Sequence, residues 1–560
     1  MNRLFLRLAE RDWWGRMVSC APVGNRRRAA MAALALCVPV LLADSYPRQP
    51  GVDVQHYVFR VTLSDDTDEI AGEATATLRF VTGGLTEFHL DLASAAGAKG
   101  MTVAEVTSGA RALKYTHEAD RLTIGLDPPP KAGELRDFTV KYRGTPAGGL
   151  RFAKNKFGER CFFSMNWPDL AHQWLPTIDH PYDKATSEFL VTAPAKYQVV
   201  ANGLLVEEID LGGGQRLTHW KQSVPIATWL NNIGVAQFAS IHVGNAAGVP
   251  LETWVFPKER DAGMATFDGP MRQAIEFYSG RIGPYPYEKL AAVENGAAGG
   301  GGMEHASAIF FGQNSVSGRP ASSLVAHETA HQWFGDSVTE KDWDDVWLSE
   351  GFATYFALLA TEHYQGRDAF VAGLKQSRAG IFRNEKSMPG VAVVQNKPWK
   401  GIPNSVIYQK GAWTLHVLRG EIGTDTFWAG IREYYRRYRD ANASTQDLRQ
   451  VMEEVSGKDL GWFFQQWMYR AGSPAVEGGW KYNAATRKIE IDLAQTQPGE
   501  AFRLPLEVGV AAPGAAQLKI EKLELNARQQ RFEIAADQEP ASVEIDPNTW
   551  MLVDVKFARK

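Results

Sequence analysis

The chain has 560 residues, enough for about three domains of ordinary size. Hydrophobic residues make up 44% and charged residues 22%, which excludes a wholly disordered chain, a collagen and a multi-span membrane protein. The 60 basic and 64 acidic residues leave a net charge of −4, so no basic field exists to hold nucleic acid, and three cysteines are too few for a disulfide framework.

Residues 1–43 read as an address. Arg26, Arg27 and Arg28 precede an apolar run from Ala29 to Ala43. That run is shorter than the roughly 20 residues of a membrane-spanning helix and suits the hydrophobic part of a secretory signal, with Met17 as a second candidate start. Export to the periplasm or the exterior is the expectation, with no transmembrane span in the mature chain. A buried N-terminal helix in a cytoplasmic protein is the alternative.

From about Val54 the period is two. Tyr57, Phe59, Val61 and Leu63 alternate with Val58, Arg60 and Thr62, and Ala74, Ala76, Leu78 and Phe80 repeat the pattern. This predicts an all-β domain over 44–247. From about Val249 helical spacing takes over, predicting a mainly helical domain over 248–472. Thr424 is placed as the N-cap of one helix, and Ser444 with Asp447 caps the next. After Pro474 alternation returns through Ile489, Ile491 and Leu493, then Leu504, Leu506 and Val508. A small β-sandwich over 473–560 is the expectation. The class is multidomain α+β.

The sharpest signal is His327-Glu328-Thr329-Ala330-His331. Residues four apart share one face of a helix, so both imidazoles reach one metal, while Glu328 sits one step round and reaches water instead. A third ligand is needed. Asp342, Asp344, Asp345 and Glu350 all lie within reach in sequence. The spacing and the apolar helix that follows favour Glu350. Two imidazoles and one carboxylate leave the fourth tetrahedral position open, as a catalytic zinc requires.

Beyond its spacing, the stretch HETAHQWFG from His327 to Gly335, with Trp347-Leu348-Ser349-Glu350-Gly351 after it, resembles the zinc signature of the M1 aminopeptidases, a gluzincin family. Ser349 stands where the family usually has Asn. Gly301-Gly302-Met303-Glu304-His305 is similar to the family's exopeptidase motif, with His305 in place of its usual Asn. Tyr408-Gln409-Lys410-Gly411 is similar to its Tyr-Glu-Lys-Gly. The resemblance implies a saddle-like N-terminal β domain, a thermolysin-like catalytic domain and one Zn²⁺ held by His327, His331 and Glu350. It further implies Glu328 as general base and Tyr408 as partner of the developing oxyanion. Glu304 would bind the free amine of a peptide in a pocket built with Gly301, Gly302, Met303 and His305, where Met303 and His305 either contribute or simply pack. The segments Asn166-Trp167-Pro168 and Asp179-His180-Pro181 resemble the part of the β domain that meets the cleft. The large C-terminal helical domain common in the family has no room after Gly472.

The expected function is release of the N-terminal residue from peptides with a free amine, EC 3.4.11. A zinc endopeptidase, an epoxide hydrolase of the leukotriene type and an inactive scaffold on the same fold are the alternatives. Nothing in the sequence sets an oligomeric state.

Overall fold

The computed structural model describes residues 44–394 and 404–560. The expected export signal over 1–43 lies outside the described residues. No helix among the described residues is long and apolar enough to cross a membrane.

The N-terminal region is built on an eight-stranded sheet. Its strand Val52–Thr62 runs parallel to Lys184–Pro194 and antiparallel to Ile70–Phe80. Tyr57, Phe59 and Val61 are buried on one face, as alternation demands. The phase begins where it does because a bulge between Val54 and His56 shifts the register. A four-stranded sheet formed by residues 149–154, 160–165, 198–201 and 233–236 adds buried Phe162 and Phe163.

The middle region departs from the helical expectation. Val249–Val255, Leu290–Asn295 and Ala308–Gly312 are strands of a five-stranded sheet, with Ala239–Ala246 at one edge and Gly302–Met303 at the other. Every residue of Leu290–Asn295 and Ala308–Gly312 is buried, so neither strand shows alternation to read. The boundary expected at 247/248 falls in the turn of a hairpin whose strands pair from Ala239↔Val255 to Ala246↔Val249.

Among the described residues this region has eight α-helices: α1 (Arg260–Arg281), α2 (Ser322–His331), α3 (Trp347–Gln365), α4 (Arg367–Ser387), α5 (Gly411–Ile422), α6 (Thr424–Tyr438), α7 (Thr445–Ser456) and α8 (Gly461–Met468). Phe334, just after α2, packs its ring on Phe352 and Phe356 of α3, at 4.6 and 5.2 Å between centroids. This aromatic contact sets α2 against α3. Ser444 caps α7 as expected. Its hydroxyl accepts from the Asp447 amide at 3.3 Å and the Asp447 carboxylate accepts from the Ser444 amide at 2.8 Å. Thr424 does not cap α6: Gly423 holds that position, and the Thr424 hydroxyl accepts from Arg419 Nε instead.

The C-terminal region has a four-stranded and a three-stranded sheet. Ile489, Ile491 and Leu493 of the first and Leu504, Leu506 and Val508 of the second are buried. The whole is α+β.

Candidate metal centre and active cleft

Helix α2 carries His327 and His331 on one face. Their Nε2 atoms lie 3.2 Å apart. Glu350 enters from the first turn of α3, with Oε2 at 3.5 Å from His327 Nε2 and 3.3 Å from His331 Nε2. A tetrahedral ion with bonds of about 2.0–2.1 Å separates its ligand atoms by about 3.3 Å. Glu350 Oε2 is buried and has no hydrogen-bond partner. The donor set and its spacing fit zinc. Burial alone would raise the Glu350 carboxyl, but its contacts with the two imidazoles bring it down to about 2. The other acidic candidates have different partners: Asp342 pairs with Arg48, and Asp345 accepts from the Thr445 hydroxyl at 2.5 Å.

The imidazole of His331 is held from behind. Its Nδ1 lies 3.0 Å from Ser349 Oγ and 3.3 Å from the Phe334 carbonyl. A ligand histidine fixed through its far nitrogen keeps one tautomer and one ring angle. Ser349, the departure from the family pattern, therefore supplies an oxygen at this position.

Tyr408 sits in a turn of π-helix over Ser405–Lys410 that runs into α5. Its hydroxyl donates to Glu350 Oε1 at 2.5 Å. The approach depends on two glycines: a Cβ on Gly351 would meet Gly411 Cα at 3.0 Å. Burial, then the Glu350 charge, hold the phenol far above its ordinary range.

Glu304 follows the edge strand Gly302–Met303. One oxygen of its carboxylate lies within 4.8 Å of ligand atoms of both His331 and Glu350. It is 5% exposed, and burial raises its carboxyl. Glu328, also buried, packs against Gly302, where a Cβ would meet Glu328 Cδ at 2.4 Å. Burial and then the Glu304 charge raise Glu328 well above the carboxylate range.

Gly301, Gly302 and Glu304 line the cleft with the three ligands, Glu328 and Tyr408. Met303 and His305 do not. An extended chain points successive side chains to opposite faces, so 302 and 304 face the cleft while 303 and 305 face the core. His305 is fully buried, edge-on to Phe310 at 4.7 Å, and both ring nitrogens are without partners. Burial lowers its pKa to about 3, so it is neutral. The expectation that His305 and Met303 shape a substrate pocket is corrected to packing. Trp167 likewise lies edge-on to Trp343 and lines no part of the cleft.

Two side chains given no role in the sequence reading hold the Glu304 segment: Gln332, inside the HETAHQWFG stretch, and Asn202. Gln332 is fully buried. Its Nε2 donates to the Glu304 carbonyl at 2.8 Å and to Asp336 Oδ2 at 2.9 Å. Its Oε1 accepts from the Ser307 amide at 2.8 Å and the Tyr285 hydroxyl at 3.0 Å. From the N-terminal region, Asn202 Nδ2 donates to the Ala306 carbonyl at 2.8 Å, and the Gly203 amide donates to Ser307 Oγ at 2.7 Å. The sequence signal for Gln332 is its place inside the HETAHQWFG stretch, directly after His331.

The sequence matches the Peptidase family M1 domain over residues 270–467 and the Peptidase M1 N-terminal domain over residues 53–230. It is 26% identical to glutamyl aminopeptidase of Rattus norvegicus over 58% of this chain and 36% of that protein. It is 26% identical to tricorn protease-interacting factor F2 of Thermoplasma acidophilum over 76% of this chain and 55% of that protein. The chain thus spans between about a third and just over half the length of these curated relatives. A solved M1 zinc metallopeptidase variant from Deinococcus radiodurans, bound to a Tyr-Ser-Ala substrate, superposes with a TM-score of 0.65 at 26% identity, covering 75% of this chain and 94% of that one. With two M1 domains in order across roughly two thirds of its length, the chain belongs to the M1 peptidase family.

Proposed function

We propose that the protein is a zinc aminopeptidase that hydrolyses the first peptide bond of substrates with a free N-terminal amine. One observation carries the reading: the buried Glu304 carboxylate stands within 4.8 Å of the ligand atoms of His331 and Glu350. A carboxylate that close to the metal centre, and not itself one of the three ligands, fixes a cation one residue away from the bond to be cut.

His327, His331 and Glu350 hold the ion. When bound there, zinc would lower the pKa of a water to about 7 and polarise a carbonyl. Glu304 pairs with the substrate ammonium and sets the register of the chain. Glu328 lies beside Gly302, at the wall against which the peptide backbone runs, and takes a proton from the attacking water before giving it to the departing amine. Tyr408 turns its hydroxyl from Glu350 Oε1 toward the oxygen on which negative charge develops. Ser349 and Phe334 keep the His331 ring in place throughout. The family resemblance of HETAHQWFG and the peptide-bound relative from Deinococcus radiodurans support the same assignment.

The direct test compares initial rates on leucine aminocoumarin and its N-acetylated twin. Fast release from the free amine and none from the acetylated form is expected. Equal release would sink the amine-anchor reading and move an endopeptidase to the front.

A further inference from the structure

The cleft does not end at the zinc ligands. It has a volume of about 1090 Å³ and continues between α3 and α4 as one cavity. Helix α3 lines it with Glu350, Thr354, Leu358 and Thr361, all on one face. The step from Glu350 to Thr361 spans about 16 Å at 1.5 Å per residue, the reach of roughly five extended residues. Helix α4 returns antiparallel and forms the opposite wall. A Cβ at Gly373 would meet Leu358 Cδ2 at 2.7 Å, which places Ala369 beside Thr361 at the far end and Ser377 near the middle.

Three features of this wall point to a peptide main chain. First, three buried polar atoms lining the cavity have no partner: Ser377 Oγ, Ser405 Oγ and Gln409 Oε1. Ser405 is only 7% exposed. Buried hydroxyls and amides left unpaired are costly, and an extended peptide brings the N–H and C=O groups that would pair them. Second, apart from the zinc ligands, Glu304 and Glu328, no charged side chain lines the cavity among the described residues. Third, the groove starts at the metal ligands, where Glu304 and Glu350 line the same cavity as Thr354 and Leu358, so a substrate anchored at Glu304 can extend along α3.

We propose that the α3–α4 groove binds about five residues on the leaving-group side of the scissile bond, through their main chain and without reading a C-terminal carboxylate. This rests on the aminopeptidase reading and narrows its substrate class to peptides of about six residues or more, indifferent to the charge at their far end.

Calorimetry tests it on the zinc-loaded Glu328→Gln chain, with unlabelled peptides of two to eight residues sharing one N-terminal residue, each as free acid and amide. Kd should tighten about tenfold from two to six residues and then level, with acid and amide within about twofold. Ala369→Phe in the same background should return the hexapeptide most of the way to the dipeptide value, and Ser377→Ala should weaken it about threefold. A melting temperature and circular dichroism spectrum matching the parent's should show that the Ala369→Phe chain folds. A Kd independent of length, an amide about tenfold weaker than its acid, or a hexapeptide insensitive to Ala369→Phe would each overturn the groove. Length-dependent binding with no release from leucine aminocoumarin by the unaltered chain would overturn the aminopeptidase reading alone.

Discussion

Gln332 Nε2 donates to the main-chain carbonyl of Glu304 across 2.8 Å, so the residue that follows the zinc helix fixes the backbone of the proposed amine anchor. Gln332→Leu keeps the volume and removes five hydrogen bonds, leaving the Ser307 amide and the Glu304 carbonyl buried without this partner. Stability should fall by about 3 kcal/mol. The KM for free-amine substrates should rise at least tenfold while bound zinc stays at one per chain. Thermal melts, metal analysis and kinetics read the three quantities separately. An unchanged KM would limit Gln332 to stability.

Removing the Glu304 carboxylate tests the amine directly. Glu304→Ala should lower kcat/KM on free-amine substrates by about 10³ or more, since an ammonium then enters a buried site with no counter-charge. Zinc content should not change, because His327, His331 and Glu350 keep their mutual 3.2–3.5 Å spacing without it. Near-normal rates would remove Glu304 from the site.

Tyr408→Phe deletes a donor that rests on Glu350 Oε1 in the free site. If the hydroxyl serves the developing charge alone, kcat should drop by about 10²–10³ and KM should move less than threefold. A matched rise in KM would make Tyr408 a binding group.

Glu340 is 1% exposed, and both its carboxylate oxygens are without partners. Burial first, then the charges of Glu304 and Glu350, push its pKa up to about 8, with His331 opposing. In the unfolded chain the group titrates near its ordinary value of 4.5. Between those values the folded state holds a proton that the unfolded state releases. Stability is therefore full below about 4.5, falls as pH rises, and the loss is complete above about 8, on the order of 4 kcal/mol. Glu340→Met should melt higher than the parent, by a margin that widens from pH 5 to pH 9. A margin constant across that window would show that Glu340 does not titrate there.

The zinc site is legible in the sequence because its geometry is local. His327 and His331 share a helix face by spacing alone, and Glu350 sits where a second helix starts. The strands at 290–295 and 308–312 are not legible, because burial on both faces erases the alternation that marks a strand. The fate of His305 follows from the same rule in reverse. Its place in a motif suggested substrate, but the pleat of an extended chain sends every second side chain inward. Gln332 and the α3–α4 groove depend on contacts between elements distant in sequence, such as Gly373 with Leu358 on the next helix, and no local pattern announces them.

The segment from Glu304 to Ser307 is held from two sides: Gln332 on the catalytic helix side, and Asn202 and Gly203 from the N-terminal sheets. Neither region alone fixes the proposed amine reader. A recombination event that joined this zinc-bearing half to a foreign β domain would pass on the metal ligands intact and leave Glu304 slack, unless the new partner presented an amide and a peptide N–H at the same two points. The two regions are thus bound to be inherited together, and helix α4 of the groove ties in the C-terminal region as well, since Arg378 pairs with Asp546 and donates to the Met551 carbonyl.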